Sequence, residues 1–150
     1  MVRLATAADA TTIAELLHAF NAEYDDPAPE VPVLAERLAP MLASGEVTVV
    51  LGGSGPDGLA LLRFRPSLWS GDLDAYLEEL YVVPHLRGQG LGRAMMERAM
   101  DVARERGATR MDVGTSTDDT AARALYEKLG FTNDERPPDG PAMLFYEREL

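Results

Sequence analysis

Three parts of this sequence combine residue types and spacings that could do chemistry. The first is HLRGQGLGRAMMERAM, His85 to Met100, where Gly88, Gly90 and Gly92 crowd the threshold of a helix-forming run. A glycine at such a position costs up to ~1 kcal/mol relative to alanine. A cost of that kind goes with backbone pressed close to something. Strand, glycine turn and helix start together make an arrangement that can hold an anion. The free N–H groups of the first helical turn point outward, and the helix dipole adds roughly half a positive charge. The second part is the adjacent pair Glu78–Glu79 inside DAYLEELYVV. A carboxylate partly buried beside apolar walls has a raised pKa and becomes a usable base. Neighbours in a strand send their side chains to opposite faces unless a bulge intervenes. The third is Tyr126 in ALYEKLGF, whose ring alone reads as packing on one helix face.

Periodicity predicts the elements that position these groups. Val2–Thr6 reads as a short strand. Thr6 and Asp9 have the T-x-x-D spacing of a capping box, and Ile13, Leu16, Leu17 and Phe20 follow at helical spacing. DDPAPEVP is a proline-rich loop, and a second helix is expected over Leu34–Ala43. VTVVL and LALLRF are strands joined by a GGSGPDG hairpin. PSLWSG breaks the sheet, and Asp74–Val83 is a longer strand. A helix then runs to about Arg106, closed by Gly107. RMDVG is a strand, Thr120–Leu129 is a helix capped by Gly130, and two strand candidates, Phe131 onward and Ala142–Glu149, flank DERPPDGP. This order predicts one α/β (α+β) domain over residues 1–150, with a mixed sheet of six to seven strands and four helices.

Bulk properties narrow the function. A chain of 150 residues suits one domain with its own core. No apolar run approaches the ~20 residues of a membrane span. The N-terminal MVRLATAADATT lacks the plan of a signal peptide, and the chain has no cysteine. A cytoplasmic protein without membrane attachment is expected. The net charge of −11 argues against nucleic acid and suits a cationic partner drawn in by the field. His18 and His85 lack the spacing of a metal site, and no G-x-S-x-G elbow is present. Met95, Met96 and Met100 follow helical spacing as core filler.

The glycine stretch fits neither a Walker loop, which needs Lys-Ser/Thr after the glycines, nor a dinucleotide fingerprint. It reads R-x-x-G-x-G, from Arg87 to Gly92, and follows LEELYVVP. This resembles the acyl-CoA signature of the GNAT N-acetyltransferase superfamily. Downstream, Ala122-x-x-Leu125-Tyr126-Glu127-Lys128-Leu129-Gly130-Phe131 is similar to that family's second signature. Tyr76-Leu77-Glu78-Glu79-Leu80, with Trp69-Ser70-Gly71 before it, resembles the diamine and polyamine acetyltransferase subgroup.

The resemblance implies the GNAT fold and acetyl-CoA as acyl donor, a cosubstrate, with no metal. Pantetheine would run beside Leu80, Tyr81 and Val82 like an added strand, with a backbone N–H near Val82 meeting the thioester oxygen. Pyrophosphate would sit on the turn Arg87, Gly88, Gln89, Gly90, Leu91, Gly92 and Arg93. Tyr126 would be the acid for the departing thiolate. Glu78 is the leading candidate for the base and Glu79 for holding a cation. Asp119 stands where many members place an asparagine that contacts the coenzyme. Gly114 stands where some protein-acetylating members have a catalytic glutamate. The expected activity is direct acetyl transfer to a primary amine of a small cationic molecule, by a homodimer. An aminoglycoside-type or amino-acid acetyltransferase is the alternative within the class. A non-catalytic acyl-CoA sensor is the alternative outside it.

Overall fold

In the computed structural model, which describes residues 1–150 throughout, the first strand is the edge of the sheet: β1, Val2–Leu4. The Thr6 N–H donates to Asp9 Oδ2 at 2.8 Å, so the T-x-x-D pair does start a helical segment. A 3-10 turn at Ala7–Asp9 feeds α1, Ala10–Glu23. The second helix, α2 (Val31–Ser44), begins three residues before its expected start. Pro32 lies in its first turn, where a missing N–H breaks no bond. Strands β2 (Thr48–Gly52), β3 (Gly58–Pro66) and β4 (Leu73–Val82) follow as hairpins. A 3-10 turn at Pro84–Leu86 then leads to α3 (Leu91–Glu105), β5 (Ala108–Val113) and α4 (Thr120–Lys128).

The five strands lie in sequence order; β1 to β4 are antiparallel, and β5 is parallel to β4. A parallel neighbour needs a crossover, and α3 supplies it. Helices α1 and α2 cover the face bearing Val47, Val49, Leu51, Leu59, Leu61 and Tyr81. Helix α3 lies on the other face, with Met95, Met96, Ala99 and Val102 buried. Gly52 and Gly58 are cross-strand partners beneath it. A Cβ on Gly52 would meet Met95 Sδ at 2.6 Å, and one on Gly58 would meet the Tyr81 carbonyl oxygen at 2.7 Å. The paired glycines let α3 approach the sheet closely. No helix is long and apolar enough to cross a membrane.

The chain forms two compact units, Met1–Val113 and Gly114–Leu150. The first holds the sheet and α1 to α3; the second holds α4. Four helices were expected and four form, but the six to seven strands are five. The segments expected as strands around DERPPDGP make only one bridge, Asp134 with Ala142. A strand is maintained by a continuous ladder of paired N–H and C=O groups. Two backbone bonds join the segments, from the Glu135 N–H to the Pro141 carbonyl at 2.8 Å and from the Met143 N–H to the Asn133 carbonyl at 2.6 Å, and no ladder continues past Met143. Leu144, Phe145 and Tyr146 are 72, 70 and 83% exposed, so no burial compensates.

Candidate active site

The pairing of β3 with β4 slips at Leu61/Leu62: Leu61 faces Glu79, whereas Leu62 faces Leu77. Glu78 is the extra residue, a β-bulge in the middle of the longest strand. The bulge changes where the two carboxylates point. Glu79 pairs with Leu61 and so lies on the sheet face of Leu61 and Tyr81. The Glu78 carboxylate is bonded to the Arg63 guanidinium, and Arg63, two residues from Leu61, projects from that same face. Both acids therefore serve one face. Their environments differ. Glu78 is exposed and paired with an arginine. Glu79 is partly buried, and burial first, then the neighbouring Glu78 charge, pushes its carboxyl above the usual range.

Strand β5 pairs with β4 only from Leu73 to Leu77. The rest of β4, from Glu78 to Val82, has no strand on that edge. The Val83 N–H donates to the Asp57 carbonyl at 2.9 Å, on the β3 side. Backbone groups alternate in direction along an antiparallel strand. The amides of Leu80 and Val82 thus face the open edge, and Tyr81 faces β3. The Val82 carbonyl accepts from Arg87 Nε at 2.9 Å, which ties the strand end to the glycine turn and leaves the Val82 N–H.

Gly88 and Gly90 have φ of 75° and 87°, the left-handed region that a side chain disfavours, with open space where each Cβ would be. Gly90 is the N-cap of α3 and has no side chain to cap with. The first helical bond runs from the Ala94 N–H to the Gly90 carbonyl at 3.0 Å. The amides of Leu91, Gly92 and Arg93 are left for an anion. Arg87 is engaged elsewhere: its side chain bonds Glu23 at 2.7 and 2.8 Å, and its N–H reaches the Pro84 carbonyl. Arg93 pairs with Glu97 one turn along the helix. Gln89 donates to the His85 carbonyl at 3.2 Å, bracing the turn.

In the second unit, the LYEKLGF residues form a helix C-cap. The Gly130 N–H donates to Glu127 and the Phe131 N–H to Tyr126, with Gly130 at φ 90°. The Tyr126 and Phe131 rings lie 5.8 Å apart. Tyr126 is buried, and burial first, then the Asp119 charge, pushes its hydroxyl up to about 12. It stays protonated at neutral pH, a proton donor rather than a base. The Asp119 carboxylate caps α4, accepting from the Ala122 N–H at 3.1 Å.

Sequence reasoning missed the arginines on β3. Arg63 pairs with Glu78, and Arg65 with Asp74 at 3.8 Å and Asp112 at 2.8 Å. Counting back from the PSLWSG turn would have found them, because Arg63 lies opposite Tyr76 and diagonal to Glu78. The acids from Asp72 to Glu79, close in sequence, are spread out in space. Asp72 lies about 20 Å along the strand from Glu78, at ~3.3 Å per residue.

The model of the Acetyltransferase (GNAT) family matches residues 13–131. A crystal structure from Arthrobacter sp. FB24, named only as an acetyltransferase, matches with TM-score 0.92 and 44% identity over 100% of this chain and 96% of that one. Aminoglycoside N(6')-acetyltransferase type 1 of Stenotrophomonas maltophilia is 31% identical over 90% of this chain and 88% of its own length. Mycothiol acetyltransferase of Beutenbergia cavernae is 45% identical over 44% of this chain, but the match spans only 23% of that longer protein.

Proposed function

Because this chain belongs to the acetyltransferase (GNAT) family, we propose that residues 1–150 act as one catalytic domain that moves an acetyl group from acetyl-CoA to a primary amine of a small cationic molecule. The observation that carries this is the open edge of β4 leading into the uncapped start of α3. An extended chain with amide groups, such as pantetheine, can pair with the Leu80 and Val82 backbone as an added strand. Its pyrophosphate then meets the amides from Gly88 to Arg93.

Each remaining step has a residue suited to it. The ammonium must lose a proton before its nitrogen can attack. Glu79 takes that proton, directly or through water, because it is partly buried and lacks an arginine partner. The nitrogen bonds to the thioester carbon, and the oxyanion accepts from the Val82 N–H. The carbon–sulfur bond breaks, the Tyr126 hydroxyl protonates the leaving thiolate, and the extra proton still on the attacking nitrogen passes, directly or through water, to the tyrosinate. The products are an acetylated amine and free coenzyme A. Glu78 and Asp119 act at one remove: Glu78 raises the Glu79 pKa, and Asp119 holds α4 in shape.

The similarity to an aminoglycoside acetyltransferase along most of the chain favours an amino sugar as the alternative acceptor. A cytoplasmic homodimer without nucleic-acid or membrane partners completes the proposal; the acidic charge supports the part that concerns nucleic acid. The test is release of coenzyme A across an amine panel, read with a thiol reagent. The chain has no cysteine, so the reagent sees only the product. Amine-dependent release supports acetyl transfer. Tight acetyl-CoA binding with no release from any amine would leave a sensor.

A further inference from the structure

Arginines answer the acids around β4 almost one for one. Asp74 and Asp112 share Arg65, Asp112 also pairs with Arg110 at 3.2 Å, and Glu78 has Arg63. Of the three acids within β4 itself, only Glu79 has no cation, although it lies on the same sheet face as Arg63 and Glu78. A second ammonium on an acceptor held at Glu79 would look for Glu78, its nearest carboxylate, and would find Arg63 there. Like charges at that range repel, and salt weakens that repulsion because the Arg63–Glu78 pair is exposed.

We infer that Arg63 is a specificity-determining residue: by occupying Glu78 across the bulge, it leaves one unanswered carboxylate and restricts the acceptor to a single positive charge near the reacting amine. This rests on acetyl transfer as proposed above and narrows it, because it excludes short diamines that an acidic strand would otherwise favour. Exclusion works here through a built-in charge that competes with the wrong substrate, rather than through a better fit for the right one.

The test compares a four-carbon monoamine with the matching terminal diamine, on the wild type, Arg63→Met and Arg63→Lys. In the wild type the monoamine is expected to have the higher kcat/KM. Arg63→Met should shift the ratio toward the diamine by roughly tenfold, mainly through KM, as removal of one repelling charge predicts. Arg63→Lys keeps the charge and should restore the wild-type ratio. A merely structural role for Arg63 would move both amines together. A tenfold preference of the wild type for the diamine, or an unchanged ratio in Arg63→Met, overturns the inference. If Arg63→Met does not fold, Glu78→Gln serves: it frees the arginine, so the ratio should move further against the diamine, and no movement overturns the inference. If no amine releases coenzyme A, acetyl transfer itself fails. Calorimetry of the same two amines on the coenzyme A complex then still decides the charge question, since only a diamine-selective gain in Arg63→Met supports it and an equal change overturns it.

Discussion

Glu78 and Glu79 are consecutive in β4 and lie on the same sheet face, and only Glu78 has an arginine partner. Regular strand geometry forbids the first part of that arrangement. The bulge creates it and separates the roles of two chemically identical groups. Burial and the Glu78 charge disfavour ionised Glu79 and raise its pKa above the ordinary 4.5. A base works only when deprotonated. Activity should therefore be lost as pH falls through that raised value, and the acid limb of kcat/KM should lie above pH 4.5. Glu79→Gln should lower turnover by roughly 10²- to 10⁴-fold, the range for loss of a general base. Glu78→Gln removes the like charge, so it should retain most turnover and move the acid limb to lower pH. A pH series on both variants checks this; a larger loss in Glu78→Gln would return the base to Glu78.

Tyr126→Phe removes one hydroxyl and keeps the ring that meets Phe131. The wild-type hydroxyl, pushed up to about 12, is protonated at any neutral pH and can donate. Turnover should fall by roughly 10²-fold or more, as for loss of a general acid, with little change in melting temperature. Steady-state rates and a thermal melt test both halves. A wild-type rate in the variant would make Tyr126 a packing residue.

Gly90 and Gly107 form a matched pair, with φ of 87° and 88° and open space around each Cβ. Alanine at either should cost about 1–2 kcal/mol of backbone strain. Only Gly90 borders the free amides of α3. Gly90→Ala should weaken acetyl-CoA binding by roughly tenfold through distortion of the anion-holding turn, whereas Gly107→Ala should leave it unchanged. Calorimetric titration of the two variants separates strain from binding, and equal affinities would reject the phosphate-cradle assignment.

Asp9 gives a stability prediction away from the site. Arg3 and the Thr6 N–H lower its carboxyl from 3.8 to about 2. A lowered folded pKa means stability that is present above the unfolded pKa and is lost as pH falls through the folded one. Asp9→Asn should cost about 1 kcal/mol at neutral pH, typical of a lost helix start. The deficit should shrink as pH approaches 2. Urea unfolding at both ends of that range measures it, and a deficit independent of pH would show that the charge is irrelevant.

Much of this protein was legible from local sequence. Hydrophobic period and punctuation located four helices and the five strands that form, because both act over a few residues. The glycine turn before α3 was legible for the same reason: positive φ at Gly88 and Gly90 is a local demand that glycine meets. So was the α4 cap, since Gly130 and Phe131 bond back within one helical turn. The tertiary structure decided what depends on partners far along the chain. The bulge at Glu78 is a mismatch between two strands and has no signature in either alone. The open edge exists because β5 stops at Val113 while β4 continues to Val82. The C-terminal run has the composition of a strand but lacks a ladder, and composition cannot supply the other half of a hydrogen bond. Charge pairing was decided in the same way: Asp74 and Glu78 are close in sequence, but the arginines that pair with them lie on the neighbouring strand, and Coulomb's law follows distance in space rather than in sequence.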